Sequence, residues 1–230
     1  MPKNGSSTYN REACEVLLLE GLQNMAINLN SQQINHLSTY INELAKWNSA
    51  YNLSAVKDPL DMVSRHILDS LSLYNFLEHE IQQRQAKQSA LEALKLVDIG
   101  TGAGLPGIPL AIAFPEAEFT LVDSNGKKTR FLFHLSRILQ LDNITIENRR
   151  AEDFQPAIRF DVVLSRAFAS ISDMIDCSCH LLNDDGRFWA MKGVYPEHEL
   201  SQIAGDYKVE QCHPLSVPEC EAERHLIVIA

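Results

Sequence analysis

Residues 97–107 read Val97-Asp98-Ile99-Gly100-Thr101-Gly102-Ala103-Gly104-Leu105-Pro106-Gly107, an acid inside a short apolar run followed by alternating glycines. Glycines spaced in this way let a backbone approach a ligand closely, and the run that precedes them delivers that ligand to a helix N-terminus. Two chemistries use such a loop. Gly102, Gly104 and Gly107 satisfy G-x-G-x-x-G, the dinucleotide fingerprint, and Asp123 lies 19 residues after Gly104, where an acid holds a ribose diol. Alternatively, Asp98-x-Gly100-x-Gly102-x-Gly104 is the acid-plus-glycine pattern of a loop for S-adenosylmethionine. A pyrophosphate would be repelled by Asp98, whereas a sulfonium carrying an α-amino group gains from a nearby carboxylate, so the methyl donor is the expected cofactor. A glycine-rich turn without a ligand is the plainer alternative.

Other segments complete the expected site. Asp123, with Ser124 beside it, follows a second apolar run and is expected to accept from the ribose hydroxyls; an N-cap for a helix over Asn125 to Leu139 would look similar. Arg150-Ala151-Glu152-Asp153-Phe154 follows a third run, where the adenine edge would meet the amides of Ala151 and Glu152. Ser165-Arg166-Ala167-Phe168 follows a fourth and faces the acceptor. A cysteine nucleophile, needed for methylation at pyrimidine carbon 5, stands at none of these tips, and the Asn/Asp-Pro-Pro-aromatic turn common in amine methylation is replaced. An acceptor that is already nucleophilic fits best. Guanine N7 has a free lone pair and no proton to lose, so catalysis reduces to positioning and charge control. Arg166 could hold the cofactor carboxylate, a phosphate or guanine O6; a surface ion pair is the alternative.

The elements that must position these residues are legible from periodicity. Arg11 to Met25 has helical spacing, a second helix with Ser31 as N-cap carries Ile34, Leu37, Ile41, Leu44 and Trp47 on one face, and Asp58-Pro59 opens a third helical region reaching Leu77. The polar stretch Glu78 to Ala90 reads as a solvated helix or linker and places a boundary between an N-terminal helical region, 1–90, and a second domain, 91–230. From Lys95 short apolar runs alternate with helix-length segments: Leu96 to Ile99, Phe119 to Val122, Ile144 to Glu147, Phe160 to Leu164, Gly186 to Lys192, Tyr207 to Cys212 and His225 to Ile229. The expectation is an α/β fold, a doubly wound seven-stranded Rossmann-like sheet with an N-terminal helical extension, its last two strands an antiparallel pair at the edge.

With 230 residues, 45% hydrophobic and 22% charged, the chain has the composition of a globular protein, which excludes collagen-like, disordered and solenoid classes. No secretory leader or span-length apolar run stands out, and five cysteines without C-x-x-C spacing favour reduced thiols, so a cytoplasmic protein without metal or membrane partner is expected. Net charge is −10, yet Asp123 to Ser170 carries eight of the twenty basic residues against six acids. That leaves room for a local basic face toward RNA, although Lys127, Lys128, Arg130 and Arg137 also suit a solvated helix face.

Four segments in order, the glycine loop continued through Ile108-Pro109-Leu110, Arg65-His66-Ile67-Leu68-Asp69-Ser70, Leu164-Ser165-Arg166-Ala167-Phe168-Ala169-Ser170 and Glu223-Arg224-His225-Leu226, closely resemble the glucose-inhibited division protein B family of bacterial 16S ribosomal RNA (guanine-N7) methyltransferases. The resemblance runs from about Ile34 to the last residues. It implies methylation of guanine N7 in the decoding-region loop of small-subunit RNA, as naked RNA or ribonucleoprotein. By that resemblance Gly100, Leu105, Ala151, Glu152 and Arg166 match cofactor contacts, and Arg150, Arg166 and Arg224 match basic residues around the catalytic pocket. Arg65 to Ser70 is read either as an Arg65–Asp69 helix pair or as a place where His66 or Arg65 touches RNA or cofactor. The polar stretch looks longer than the family's usual connection. Two rival readings are a nicotinamide-dependent oxidoreductase built on the Gly102 fingerprint and a non-catalytic RNA-binding ribosome-assembly factor.

Overall fold

The computed structural model describes residues 9–86 and 93–230 except 167, 169, 204 and 206. Helix α1 spans Arg11–Asn24, its first turn capped by the Asn10 side chain accepting from Ala13 N. Helix α2, Ser31–Tyr51, starts one residue earlier than the serine-cap reading implies: Asn30 is the cap, its side chain accepting from Gln33 N while the Gln33 side chain accepts from Asn30 N. A reciprocal box satisfies two end amides at once, and Gln33 sits at the position such a box requires. The expected apolar face of α2 is buried, with Leu37, Ile41 and Leu44 fully inaccessible.

Asp58 caps α3, Pro59–Met62, as expected. The rod continues through a π-helical stretch, Val63–Leu68, into α4, Asp69–Leu71, and after a short turn α5 runs Tyr74–Ala86. The polar stretch is therefore helical as far as Ala86, and its residues 87–90 lie outside those described.

The sheet contains β1 (Lys95–Ile99), β2 (Glu118–Val122), β3 (Ile144–Glu147), β4 (Phe160–Arg166), β5 (Leu182–Lys192), β6 (Val209–Pro214) and β7 (His225–Ile229), in the order β3-β2-β1-β4-β5-β7-β6. The first five are parallel, and β7 runs antiparallel to both β5 and β6, so the expected edge pair is present. Helices α6 (Gly107–Ala113), α7 (Gly126–Leu139), α8 (Ile171–Ser178) and α9 (Glu197–Leu200) connect the strands. Alternation fails once: the short segment between β3 and β4, interrupted by Pro156, crosses without a helix.

Parallel strands covered on both faces explain the near-continuous apolar runs. Leu96, Leu121, Leu164 and Leu226 point to the layer of α1, α2, α6 and α7, while Val97, Ile99, Val163 and Phe188 point to the layer of α8. Each Leu-sized side chain buried in this way contributes about 1.5–3 kcal/mol. Period-two alternation along β1 puts Asp98 on the Leu96 face, beneath α6. The N-terminal helices share that core and reach the loop itself, since the fully buried Tyr40 hydroxyl of α2 donates to Ala103 O at 2.8 Å.

Candidate active site

The loop leaving β1 is organised from below. Asp98, 1% exposed, accepts through Oδ2 from Thr101 Oγ1 at 2.7 Å and from Gly107 N at 2.9 Å, tying the strand end to the start of α6. Burial pushes its acid up to about 7, against the opposing pull of those hydrogen bonds and of the Arg166 charge. Its Oδ1 is buried without a hydrogen-bond partner among the described residues.

Asp123 sits just past β2 with both oxygens in use: Oδ2 accepts from Gly102 N at 2.9 Å and lies 3.6 Å from Lys128 Nζ, and Oδ1 accepts from Asn125 N at 2.8 Å. The cap of α7 is Asn125, whose side chain accepts from Lys127 N, so the cap role weighed for Asp123 falls to its neighbour. A carboxylate has about four lone-pair directions, so Asp123 retains room to accept from a ligand.

A cavity of about 660 Å³ opens over this acid. Gly100, Asp123, Ser124, Ala151 and Glu152, expected around the cofactor, line it; Arg150, expected with Arg166 and Arg224 beside the catalytic pocket, lines this cavity instead because it follows β3, and Lys128, Phe168 and Asp173 join them unforeseen. Asp98, Gly102, Gly104 and Leu105 are not on its wall but build or support the loop. The Phe168 ring stands 3.9 Å from where a Cβ on Gly100 would be, so a side chain there would intrude on the space the loop leaves open. The volume falls within the usual ligand range. A glycine at the cavity wall whose Cβ would intrude on it and an acid past β2 with acceptor capacity to spare together fit S-adenosylmethionine. Asp123→Ala is expected to weaken its binding by about 1–3 kcal/mol, measured by calorimetry; an effect on stability alone would return Asp123 to a purely structural role.

Arg166 and Arg224, expected beside the cofactor or the catalytic pocket, line a second cavity of about 310 Å³. The structure thus separates Arg166 from the cofactor cavity, because its side chain leaves the tip of β4 toward the π-helical rod. At its centre is Asp69, 2% exposed. Oδ2 accepts from Arg166 Nη1 at 2.9 Å and Oδ1 from Arg224 Nε at 2.7 Å. The Arg65–Asp69 helix pair does not form; Arg65 contributes its carbonyl, which accepts from Arg166 Nη1 at 3.2 Å. His66 is buried, with Nδ1 2.9 Å from Arg65 O and Nε2 2.7 Å from Ser54 Oγ. Burial, then the Arg166 charge, push its pKa down to about 4, which keeps the imidazole neutral. Sequence spacing offers Asp69 a local partner, Arg65, where the structure gives it Arg166 and Arg224. The available signal was an acid inside Ile67-Leu68-Asp69-Ser70-Leu71, where burial demands a cationic partner.

The two cavities have different linings but come within two residues of each other in sequence at the end of β4. Arg166 faces one and Phe168 the other, while Lys192 Nζ donates to Phe168 O at 3.4 Å and to Glu199 Oε2 at 2.7 Å. Glu199 also accepts from Ile171 N at 2.8 Å, so Phe168 and the start of α8 are both held through Lys192 of β5 and Glu199 of α9.

This sheet order, with an acid-and-glycine loop after β1 and an acid after β2, defines an S-adenosylmethionine-dependent methyltransferase of Rossmann-like fold. TrmN from Thermus thermophilus has a similar fold, with a TM-score of 0.52 and 14% identity over 73% of this chain and 52% of that one. The family profile rRNA small subunit methyltransferase G (GidB) matches residues 33–227. Proteins named ribosomal RNA small subunit methyltransferase G are 50% identical in Cellvibrio japonicus, over 92% of this chain and 93% of theirs, and 45% identical in Salmonella arizonae, over 90% and 94%. The chain belongs to the rRNA small subunit methyltransferase G family, in agreement with the resemblance drawn from its four motifs.

Proposed function

We propose that this chain transfers the methyl group of S-adenosylmethionine to N7 of a guanine in 16S ribosomal RNA, in the decoding-region loop of the small subunit, within the cytoplasm. The observation that carries the reading is a pair of cavities reached from the end of β4, one built on the glycine loop and Asp123, the other on two arginines that share Asp69. Relatives bearing the ribosomal RNA name support the substrate class.

The bound cofactor supplies an electrophilic methyl on a sulfonium. Asp123 would accept from the ribose hydroxyls, and the amides of Ala151 and Glu152 would meet the adenine edge. Gly100 and Phe168 would bound the part of the cofactor cavity beside the β4 tip, the side that faces Arg166. Arg166 and Arg224 set the charge on the acceptor side. No side chain removes a proton, because N7 has none, so the neutral His66 serves as packing and as a hydrogen-bond anchor. Arg150, its side chain 70% exposed beside the cofactor cavity and 3.8 Å from Glu152 Oε1, would meet an RNA phosphate, while Arg149 is tied to Glu147 at 2.9 Å and lies over Phe154.

Incubating the protein and labelled S-adenosylmethionine with undermethylated small-subunit RNA, naked and assembled, and then mapping the modified base tests the reading; absence of N7-methylguanine in both overturns it. RNA affinity should fall steeply with salt despite the net charge of −10. Arg150→Ala is expected to reduce the log–log slope by roughly 0.7–0.9, the share of one phosphate contact. A flat series with the wild-type protein would point to a small-molecule acceptor.

A further inference from the structure

The second cavity presents donors almost exclusively. Its one carboxylate among the described lining residues, Asp69, has already committed each oxygen to a guanidinium. Lys192 is held by Glu199 and Phe168 O, and His66 by Arg65 O and Ser54. Arg224 engages Nε with Asp69 and Nη1 with Glu223 O, leaving Nη2 as its unused nitrogen; Arg166 engages Nη1 with both Asp69 and Arg65 O, leaving its opposite edge. Val56 and Met191 supply apolar wall. A site of this kind suits a flat ring whose edge carries acceptors.

We propose that this cavity is an acceptor-base subsite that recognises guanine through O6, with Arg166 and Arg224 as donors and Asp69 as the residue that positions them. The inference rests on the N7-transfer reading. Guanine offers O6 and N7 on one edge, whereas adenine replaces O6 with an amino group whose hydrogens would meet those of the guanidinium. Transfer imposes a further condition. The N7 electron pair forms the new N–CH3 bond while the CH3–S pair returns to sulfur; the positive charge passes to the purine and no proton leaves. A guanidinium bonded to both O6 and N7 would occupy the pair that must react. Arg224, with Nη2 alone unused, can serve O6 and leave N7 free, and Asp69 fixes that arrangement.

The test replaces the mapped target guanosine in small-subunit RNA, by splinted ligation, with inosine, adenosine or 2-aminopurine riboside, using the full chain and S-adenosylmethionine. Inosine keeps O6 and lacks the 2-amino group; 2-aminopurine does the reverse. Inosine is expected to react within about threefold of guanosine, and the other two to fall by about one to two orders of magnitude. A loss with inosine that matches the loss with 2-aminopurine overturns O6 recognition. Failure of guanosine itself to gain an N7 methyl overturns the underlying reading instead. Asp69→Asn is expected to lower kcat about tenfold at unchanged KM for S-adenosylmethionine and to narrow the guanosine-over-adenosine preference. A lower Tm with wild-type kcat and preference would make Asp69 structural only and overturn its positioning role.

Discussion

Arg166→Ala is expected to lower single-turnover methyl transfer by about 10²–10³, the usual loss when one donor to a reacting centre is removed, while S-adenosylmethionine affinity stays within about threefold. The first half follows from what Arg166 does in the second cavity, where its Nη1 bridges Asp69 and Arg65 O and fixes the remaining edge toward the acceptor. The second half follows from its position: Arg166 lines the acceptor cavity and not the one over Asp123. Removing it also leaves Asp69 Oδ2 buried beside a vacated site, at a stability cost of about 1.5–3 kcal/mol. Arg166→Lys should recover little, because one ammonium cannot reach both partners and still present a planar edge. Rates near wild type in both variants would remove Arg166 from the reaction. A tenfold loss of cofactor affinity would move it back to the carboxylate of the methyl donor. Neither variant should add a titrating step to the pH–rate profile, since no proton is transferred.

Gly104→Ala should destabilise the fold by about 2–4 kcal/mol in urea unfolding, whereas Gly102→Ala should cost about 1–2. Both glycines have positive φ, +92° and +64°, so both substitutions carry left-handed strain. Their surroundings differ. A Cβ on Gly104 would lie 2.4 Å from Ile108 Cγ1 and 2.8 Å from Leu132 Cδ2, whereas one on Gly102 meets nothing closer than Lys128 Nζ at 3.8 Å. Ile108 and Leu132 are fully buried and cannot swing aside. Equal costs for the two variants would refute this packing account and leave backbone strain as the only contribution.

The strands were legible because a parallel sheet covered on both faces writes itself as short apolar runs, and β3 and β7 match their expected bounds. The cofactor loop was legible because its chemistry is local: an acid, three glycines and a second acid lie within one β-loop-α-β unit. The acceptor side was not. Asp69 finds its partners 97 and 155 residues away, and sequence spacing offers only neighbours three and four positions along a helix, hence the expected pairing with Arg65. Which cavity Arg166 enters depends on the direction its side chain takes at the β4 tip, which motif and strand assignment leave undetermined. The π-helical turn over Val63–Leu68 that precedes Asp69 has no compositional signature, and the reach of Tyr40 to the Ala103 carbonyl depends on how α2 docks.

Strand β7 is synthesised after β6 yet lies between β5 and β6, and Arg224 immediately precedes it. During translation the methyl-donor loop, Asp123 and the inner parallel strands all leave the ribosome well before Arg224 does. A nascent chain can therefore acquire the means to hold its donor while Asp69 still lacks one of its two arginines. Because β6 is hydrogen-bonded to β7 alone, docking of β7 on β5 brings both edge strands into the sheet together with Arg224 of the Asp69 cluster. The acceptor cluster is thereby tied to completion of the sheet edge, whereas the glycine loop and Asp123 sit among its inner strands.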